Sequence, residues 1–356
     1  MTPPQLPAND PLCHALARAL EQQGSSYRHA PLERLKDKGL AHDHVRLLGT
    51  GMLARVPKQS QMQLGAVDNL TYQAACFTRA SVTGFAPRLM GQLPPSHNLP
   101  RGALLVEEIV GRNAALPVDL QAIVQSLSAM HALPLPSMGT RAPLRNAQDP
   151  LRDLLTEVQA QAAYFSASDA LPSCIAMAHA ELERFAQLCE RNQRPPQCLI
   201  AFDGHPGNFV VQVDGRAILV DLEKCRYSYA ALDLAHATLY TSTTWDVDSY
   251  TVLSAAEVAQ AYATWAQAVG STIAQAAQPW HLPLRRAMWL WSVTWCAKWR
   301  ATSGAEARAG IDGEDWSAER SSEALVAHVR ERTAHYLAPA TVQAVLQDFD
   351  ALEALL

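Results

Sequence analysis

The dipeptide Asp214-Gly215 stands between two short apolar runs, FVVQV before it and RAILV after it. Asp-Gly is a strong signal for a two-residue β-hairpin turn, because both central residues of such a turn must tolerate a positive φ. When the ladder is extended outward from this turn, Asn208 falls opposite Asp221. Directly opposed residues in an antiparallel pair have Cβ atoms about 4.5–5.5 Å apart. The hairpin therefore predicts an amide oxygen and a carboxylate side by side at its open end.

Two oxygen ligands held in this way suit Mg²⁺, which takes few protein ligands together with phosphate and water. Asp203 lies just upstream, after the apolar run CLIAF and in a loop that contains glycine and proline. Its carboxylate is expected near the same end of the hairpin. Asn and Asp also flank hairpins for turn chemistry alone, so the pair by itself leaves a purely structural interpretation open.

Composition limits the classes of protein that this chain can belong to. The 356 residues are 49% hydrophobic and 18% charged, which excludes a disordered chain and allows about two domains. The net charge of −5 gives no basic excess for nucleic acid or an anionic membrane. The seven cysteines are scattered without a C-x-x-C pair, and there is neither a signal-like leader nor an 18-residue apolar run. We therefore expect a cytoplasmic protein with reduced thiols and no membrane or nucleic-acid partner.

The periodicity of apolar residues predicts a mixed first part and a helical second part. The first hundred residues alternate between helical and strand patterns, and Asp68 is predicted to cap a helix. From about residue 113 the pattern is mainly helical. The predicted elements are helices over 12–22, 69–80, 120–131, 151–165 and 174–192, a hairpin around Gly49–Gly51, and a strand over 102–110.

A longer pattern surrounds the predicted hairpin. It consists of Asp203-Gly-His205-Pro-Gly-Asn208, then twelve residues, then Asp221-Leu-Glu223, and then Leu232-Asp233-Leu-Ala. This pattern resembles the aminoglycoside phosphotransferase and choline kinase-like family, whose catalytic loop H-G-D-x-H-x-x-N is followed by a hairpin, D-x-E and D-L-A. The resemblance extends from about residue 25 to 300.

The resemblance implies an α+β, protein-kinase-like bilobal fold, with a small N-terminal β-sheet lobe and a large, mainly helical C-terminal lobe. The implied boundaries are a nucleotide-binding lobe over 1–106, a hinge over 107–112, and a catalytic and substrate-binding lobe over 113–356. The implied activity is ATP-dependent transfer of the γ-phosphoryl group to a hydroxyl of a small molecule, with Mg²⁺. The acceptor would be an amino sugar, a choline-like alcohol or a related metabolite.

The family's pattern also implies roles for individual residues. Asp203 takes the position of the catalytic carboxylate, and Asn208 and Asp221 take those of the magnesium ligands. Asp233 would brace the catalytic loop. The positions implied for the nucleotide are Arg55 at the phosphates, Gly39 in a phosphate-covering turn, and the backbone of Glu107, Glu108 and Ile109 at the adenine.

The sequence departs from the family's pattern at four positions, one of which is Gly204 in place of a bulky apolar residue. Ala201-Phe202 replaces the usual His-Gly, so Asp203 is expected to lack one orienting partner. Gln73 stands where a glutamate would pair with Arg55, and Lys58 is the alternative to Arg55 if the strand register differs. A catalytically weak or silent kinase-fold protein that binds a nucleotide or metabolite is therefore the alternative function.

Several other side chains have both a functional and a structural interpretation. His42 and His44 are expected to be solvated loop histidines rather than metal ligands, because no third ligand follows at a useful spacing. For His205, a catalytic role and a loop-bracing hydrogen bond are equally open. A helical stripe is expected to pack in the core, although cation–π contact with a substrate is the alternative; it comprises Met288, Trp291, Trp295 and Trp299. An acidic cluster is expected to be solvated, the alternative being attraction of an aminated substrate; it comprises Asp312, Glu314 and Asp315.

Overall fold

A computed structural model describes residues 10–36, 39, 41–246, 249–303 and 322–356. The acidic cluster of Asp312, Glu314 and Asp315 lies outside the described residues, so its role stays a prediction. The chain separates into two compact units. The first is formed by the described residues of Met1–Ser81, Pro87–Ile109 and Ala305–His328, and the second by those of Val82–Ala86, Val110–Gly304 and Val329–Leu356. The division into functional lobes at 1–106, 107–112 and 113–356 stays a prediction.

The described residues of the first unit form an antiparallel sheet, two complete helices and the first residues of the helix Glu323–Tyr336. The complete elements of the unit are α1 (Pro11–Gln22), β1 (Leu32–Arg34), β2 (His42–Leu47), β3 (Met52–Pro57), α2 (Ala66–Ala80), β4 (Leu89–Leu93) and β5 (Ala103–Glu107). The strand order is β1-β2-β3-β5-β4, with every neighbouring pair antiparallel. Leu16 and Leu20 of α1 share one buried apolar cluster with Val45 and Leu105 of the sheet. Helix α1 thus covers the apolar face of the sheet, which must be buried against another element.

The two complete helices of this unit begin in different ways. At α1, the side chain of Asp10 accepts hydrogen bonds from Leu12 N (2.8 Å) and Cys13 N (3.1 Å), which satisfies two of the first backbone donors. At α2, the N-cap is Gly65, and Asp68 lies inside the first turn. The prediction that Asp68 caps this helix is therefore wrong. The chain turns three residues earlier, and the Asp68 carboxylate instead lies at the positive end of the helix dipole.

The hairpin predicted around Gly49–Gly51 is present between β2 and β3, with Leu47 paired to Met52. Gly49 and Gly51 have φ angles of 76° and 69°, a region that a side chain disfavours. His42 begins β2 and is buried, so the prediction of a solvated loop histidine is wrong for this residue. The strand starts earlier than its apolar pattern indicates, because His42 has a polar partner inside the unit.

The chain after residue 110 is mainly helical. The helices are α3 (Leu120–His131), α4 (Pro150–Ala162), α5 (Pro172–Cys189), α6 (Ala230–Thr238), α7 (Tyr240–Thr243), α8 (Ala255–Val269), α9 (Ser271–Ala277), α10 (His281–Thr302), α11 (Glu323–Tyr336) and α12 (Pro339–Leu352). The strands are β6 (Arg112–Asn113), β7 (Gln197–Ile200), β8 (Phe209–Val211), β9 (Ala217–Leu219) and β10 (Arg226–Tyr229). They form a β6-β8-β9 sheet and a β10-β7 pair. This mixture confirms the predicted α+β class.

Helix α10 lies in the core of the second unit and is buried on more than one face. Met288, Trp289 and Val293 are each almost completely buried, although they point in different directions around the helix. Among the helices of the described ranges, none combines the length and the apolar character that a membrane-spanning helix needs.

The hairpin of β8 and β9 forms, but its register differs by one residue from the prediction. Phe209 pairs with Leu219, and the backbone N of Val220 donates to the carbonyl O of Asn208 (2.9 Å). Asn208 is therefore opposite Val220, and its predicted direct opposition to Asp221 is wrong. The two functional candidates still stand on the two arms of one hairpin, at its open end.

The cause of this shift is the length of the turn. Gln212 N donates to Arg216 O (2.9 Å), and Gly215 N donates to Gln212 O (2.9 Å), so the loop contains the three residues 213–215. Gly215 has a φ of 86°, which is typical of a three-residue hairpin whose last loop residue is left-handed. Val213, which a two-residue turn at Asp214-Gly215 would pair with Arg216, is fully exposed in the loop. This register keeps Phe209 and Leu219 buried.

Candidate active site

The carboxylate of Asp233, on α6, holds the start of the loop that connects β7 to β8. Asp233 is fully buried; its Oδ2 accepts a hydrogen bond from Ala201 N (2.8 Å), and its Oδ1 accepts one from Phe202 N (2.7 Å). His131, at the end of α3, lies 3.0 Å from Oδ2 through its Nε2. Trp265 donates its indole N–H to the Nδ1 of His131 (3.0 Å), so Nε2 carries the proton and donates to Asp233. Asp233 thus braces the loop, as the resemblance implies.

Asp203 follows this braced segment and is paired with a cation that the sequence analysis missed. Lys224 Nζ lies 2.8 Å from Asp203 Oδ2, and both side chains are largely buried. Burial raises the pKa of Asp203, but the charge of Lys224, the nearby histidines and the hydrogen bond from Lys224 together outweigh it, and the net pKa lies below its ordinary value. Asp203 is consequently an ionised carboxylate at neutral pH. The available signal was the position of Lys224 directly after the Asp221-Leu-Glu223 motif.

A histidine on α6 is a second neighbour of Asp203. His236 Nδ1 lies 3.1 Å from the carbonyl O of Phe202 and 3.8 Å from Asp203 Oδ1. Because a carbonyl only accepts, Nδ1 carries the proton. Burial lowers the pKa of His236 to about 4, so the ring is neutral at physiological pH. Lys224 and His236 thus approach the two carboxylate oxygens of Asp203, although Ala201, in place of the family's histidine, offers no side-chain hydrogen bond.

Asn208 contacts the same loop through its amide. Its Nδ2 donates to the carbonyl O of Asp203 (2.8 Å), which turns the amide oxygen Oδ1 away from that carbonyl. Asp221 follows Val220, the residue paired with Asn208, and is half-buried. An amide oxygen and a carboxylate from one hairpin are the oxygen donors that Mg²⁺ prefers, so these two residues fit the ion.

His205 braces the loop between Asp203 and Asn208. Its Nδ1 accepts a hydrogen bond from Gly207 N (3.2 Å), which is the structural alternative weighed from the sequence. Gly207 has no room for a side chain, because an added Cβ would lie 2.7 Å from Asp246 Oδ2 and 2.9 Å from the His205 ring. The loop is therefore packed tightly on both sides of Gly207.

In the first unit, Arg55 lies on β3 and is buried against α2. Its guanidinium carbon is 5.4 Å from the centre of the Phe77 ring, and its Nη2 is 3.4 Å from His42 Nδ1. His42 Nε2 is in turn 2.9 Å from Gln73 Oε1. Gln73, predicted to face Arg55 directly, is thus connected to it through an imidazole. The sequence offered no sign that His42 would stand between them.

Lys58, the alternative to Arg55, lies just beyond the end of β3. Its Nζ donates to the carbonyl O of Gly39 (3.1 Å), so the lysine supports the backbone of the segment predicted to cover phosphate. Gly39 itself has open space where a side chain would be. Arg55 and Lys58 therefore have different local roles, one against α2 and one against the Gly39 segment.

The three predicted hinge residues lie at the end of β5. Glu107 N donates to Arg88 O (2.9 Å), and Glu108 N donates to Gly51 O (2.8 Å). Their carboxylates pair with Arg88 and Arg46, respectively. The N–H groups of Glu107 and Glu108 are therefore both bonded to backbone carbonyls of the first unit.

The tryptophan stripe on α10 lies mainly in packed surroundings, as the structural interpretation predicts. Met288 and Trp299 are buried, and Trp295 packs 5.7 Å from the ring of Trp245. Trp291 differs because it reaches the catalytic loop, with its ring 5.1 Å from that of Phe202 and 5.5 Å from Lys224 Nζ.

Comparison with known proteins identifies the family to which the chain belongs. Residues 62–268, more than half of the chain, match the phosphotransferase enzyme family (APH). No curated protein matches the chain. The matched segment includes Gln73, residues 107–112, the loop of Asp203 and Asn208, and the hairpin arm that carries Asp221.

Solved structures with the same fold are numerous at low sequence identity. A choline/ethanolamine kinase family protein from Mesorhizobium loti is 14% identical, with a TM-score of 0.57 over 96% of this chain and 100% of that one. An ethanolamine kinase from Plasmodium vivax is 11% identical, with a TM-score of 0.59 over 92% and 88%. Aminoglycoside 2′-phosphotransferase-IIIa, solved as a GDP complex, is 13% identical, with a TM-score of 0.55 over 95% and 98%. These likenesses confirm the predicted kinase-like fold, and the family match shows that the chain belongs to the phosphotransferase enzyme family, the small-molecule kinases that phosphorylate a hydroxyl group.

Proposed function

We propose that this kinase transfers the γ-phosphoryl group of ATP to a small-molecule hydroxyl, with Asp203 as the catalytic carboxylate. The observation that carries the proposal is the position of Asp203. Its backbone follows a segment fixed by Asp233, and its side chain is ionised and held by Lys224. A fixed carboxylate of this kind is what phosphoryl transfer asks of a protein, since the reaction depends mainly on positioning and electrostatics.

In the proposed reaction, Asp203 orients the acceptor hydroxyl and accepts its proton. The hydroxyl oxygen forms a bond to the γ-phosphorus, the bond from that phosphorus to the bridging oxygen of the β-phosphate breaks, and ADP leaves. Lys224 stabilises the ionised state of Asp203 before the transfer. His236, neutral and bonded to the Phe202 carbonyl, keeps the backbone before Asp203 in place.

Asn208 and Asp221 are proposed to hold Mg²⁺, which supplies neutralisation of phosphate charge when it is bound. Arg55 is proposed to contact the nucleotide phosphates, with Gly39 in the covering turn and Ile109 at the base. All these residues would act in the cytoplasm, where seven buried free thiols are stable.

The acceptor is proposed to be an amino sugar, a choline-like alcohol or a related metabolite. Support comes from the names of the structural neighbours, which include choline and ethanolamine kinases and an aminoglycoside phosphotransferase. The direct test is an ADP-release screen over these acceptors, with Asp203→Asn as the blank. Because one neighbour is solved with GDP, each acceptor is assayed with ATP and with GTP. A parent that binds Mg-ATP but phosphorylates nothing in the panel supports the silent alternative.

An Asp221→Ala variant is expected to lose the magnesium-dependent part of ATP binding. Removal of a metal ligand should weaken Mg-ATP by about 10- to 100-fold or more, the range seen even for residues behind the ligands. Calorimetric titration with and without a chelator measures this part directly. The matched control is Asp214→Ala, an exposed carboxylate in the loop of the same hairpin, which should bind as the parent does. Equal Mg-ATP affinity in parent and Asp221→Ala would remove Asp221 from the proposed ligands.

An Arg55→Ala variant is expected to weaken ATP far more than adenosine. A charge-assisted hydrogen bond is worth about 1.5–3 kcal/mol, so the loss for ATP should be about 10- to 100-fold. Adenosine affinity should change little, because its base would be met at Ile109 rather than at β3. Lys58→Ala is the comparison variant, since that lysine contacts Gly39 instead. If Lys58→Ala shows the larger selective loss of ATP, the phosphate contact belongs to Lys58.

A further inference from the structure

The residue before Asp203 has an unusual backbone conformation. Phe202 has a φ of 61°, a left-handed conformation that a bulky residue rarely adopts and that glycine adopts freely. The corresponding position of the family's H-G-D pattern is a glycine. A conformation of this kind persists only when its surroundings determine it. Phe202 is therefore expected to have contacts that hold it in this conformation.

Both the backbone and the side chain of Phe202 make contacts that hold it. The backbone is bonded at its N–H and at its carbonyl. Phe202 N donates to Asp233, and its carbonyl accepts from His236. The ring is buried and lies 3.6 Å from the guanidinium carbon of Arg226, on β10. On another side it meets Trp291 edge-on, at 5.1 Å between ring centres.

The two groups that enclose this ring share one carboxylate. Arg226 Nη1 lies 3.2 Å from Glu157 Oε2, and Trp291 Nε1 donates to Glu157 Oε1 (2.7 Å). Arg145 also donates to Oε2 (2.5 Å). Burial alone would raise the pKa of Glu157, but the charges of Arg226 and Arg145 lower it to about 2. Glu157 is therefore an ionised anchor with both oxygens in use.

We propose that Glu157 and Arg226 are positioning residues that hold Phe202 in its left-handed conformation and thereby aim Asp203. Arg226 covers the Phe202 ring, Trp291 meets it from another side, and Glu157 fixes both. A glycine would adopt this backbone turn without help, whereas here side chains of α4, β10 and α10 enforce it on Phe202. Only the link to Asp203 rests on the proposed function, because the clamp on Phe202 stands on contacts alone.

The first experiment compares Phe202→Gly with Phe202→Ala in urea unfolding. Both variants lose the ring and its contacts, but only alanine keeps a Cβ in the left-handed conformation. At ordinary positions a glycine is the less stable of the two, whereas at a positive φ the order reverses. We expect a higher urea midpoint for Phe202→Gly. An equal or higher midpoint for Phe202→Ala would show that the position has no need of a left-handed residue, which removes the premise of the clamp whatever the activity of the protein.

The second experiment combines Arg226→Met with Phe202→Gly and measures Mg-ATP hydrolysis and nucleotide KM. Arg226→Met alone is expected to lower kcat by about 10- to 100-fold, the scale of a small misplacement, with KM for Mg-ATP unchanged. In the Phe202→Gly background the same substitution should cost less than about 3-fold, because glycine needs no clamp. Glu157→Gln should behave as Arg226→Met does. Equal losses of kcat in both backgrounds contradict the positioning role.

The matched control is Arg286→Met. Arg286 also covers a phenylalanine, with its guanidinium carbon 4.7 Å from the Phe349 ring, and it is also bonded to a buried carboxylate, Glu181. This arrangement lies on α10, α5 and α12 rather than at the loop of Asp203. Arg286→Met should lower the urea midpoint and leave kcat at the parental value. A parent without any Mg-ATP hydrolysis counts against the proposed function, and the urea comparison still tests the left-handed conformation on which the clamp rests.

Discussion

An Asp203→Asn variant is expected to lose phosphoryl transfer by about 10²–10⁴-fold, the usual contribution of a positioned general base. The asparagine keeps the shape of the side chain but cannot accept the proton of the acceptor hydroxyl. It also removes the negative partner of Lys224, whose ammonium lies 2.8 Å from Oδ2. Mg-ATP affinity should stay within a few-fold, because Asn208 and Asp221 are the proposed ligands.

The measurement is single-turnover transfer to an acceptor found in the screen, beside equilibrium binding of Mg-ATP. Asp214→Asn is the control, since its carboxylate is exposed and contacts Arg216 in the hairpin loop. Near-parental transfer by Asp203→Asn would assign the base to another group. A loss of Mg-ATP binding as large as the loss of transfer would mean that Asp203 serves the nucleotide rather than the acceptor.

An Asp233→Asn variant is expected to lose about 2–4 kcal/mol of unfolding free energy, because a buried donor left without an acceptor costs about 1–3 kcal/mol. The parent carboxylate accepts from Ala201 N, Phe202 N and His131 Nε2 at 2.7–3.0 Å. Asparagine keeps one acceptor oxygen and turns an NH₂ group toward the remaining donors. The loop before Asp203 should therefore loosen together with the helix ends that meet it.

Equilibrium unfolding in urea measures this loss, with Asp214→Asn as an exposed reference that should stay within about 0.5 kcal/mol of the parent. A stability change of that small size in Asp233→Asn would show that the loop does not depend on the carboxylate. A large loss of activity with unchanged stability would place Asp233 at the substrate instead.

The periodicity of the sequence predicts a mixed first part and a helical second part, and the resemblance of the motif around Asp203, Asn208 and Asp221 implies the fold class. The sequence does not predict the register of the hairpin. Asp-Gly is compatible with loops of two or three residues, and the choice depends on which pairs become buried. Burial of Phe209 and Leu219 decides in favour of the longer loop.

Residues that support the site from a distance are also beyond a local pattern. Glu157 and His236 approach the loop from helices whose packing no short motif encodes. The same holds for His42, which stands between Gln73 and Arg55 after β2 and α2 have assembled. Lys224 is the exception, because its place beside a metal-binding motif was visible in the sequence.

The three-residue loop of the β8–β9 hairpin makes chain length, rather than residue identity, the constraint at an exposed surface. Loops normally tolerate insertions and deletions, and Val213 at this tip touches little of the protein. The register of the strand pairs, however, depends on the number of residues in the loop. Deletion of one residue here either shortens the loop to two residues or, where the loop keeps its three-residue form, slides one arm past the other by a position and turns the alternate side chains of that arm to the opposite face. Asn208 and Asp221 would then meet different neighbours, although the change lies at the far end of the hairpin. We therefore expect natural variation at this tip to exchange side chains freely and to preserve their number.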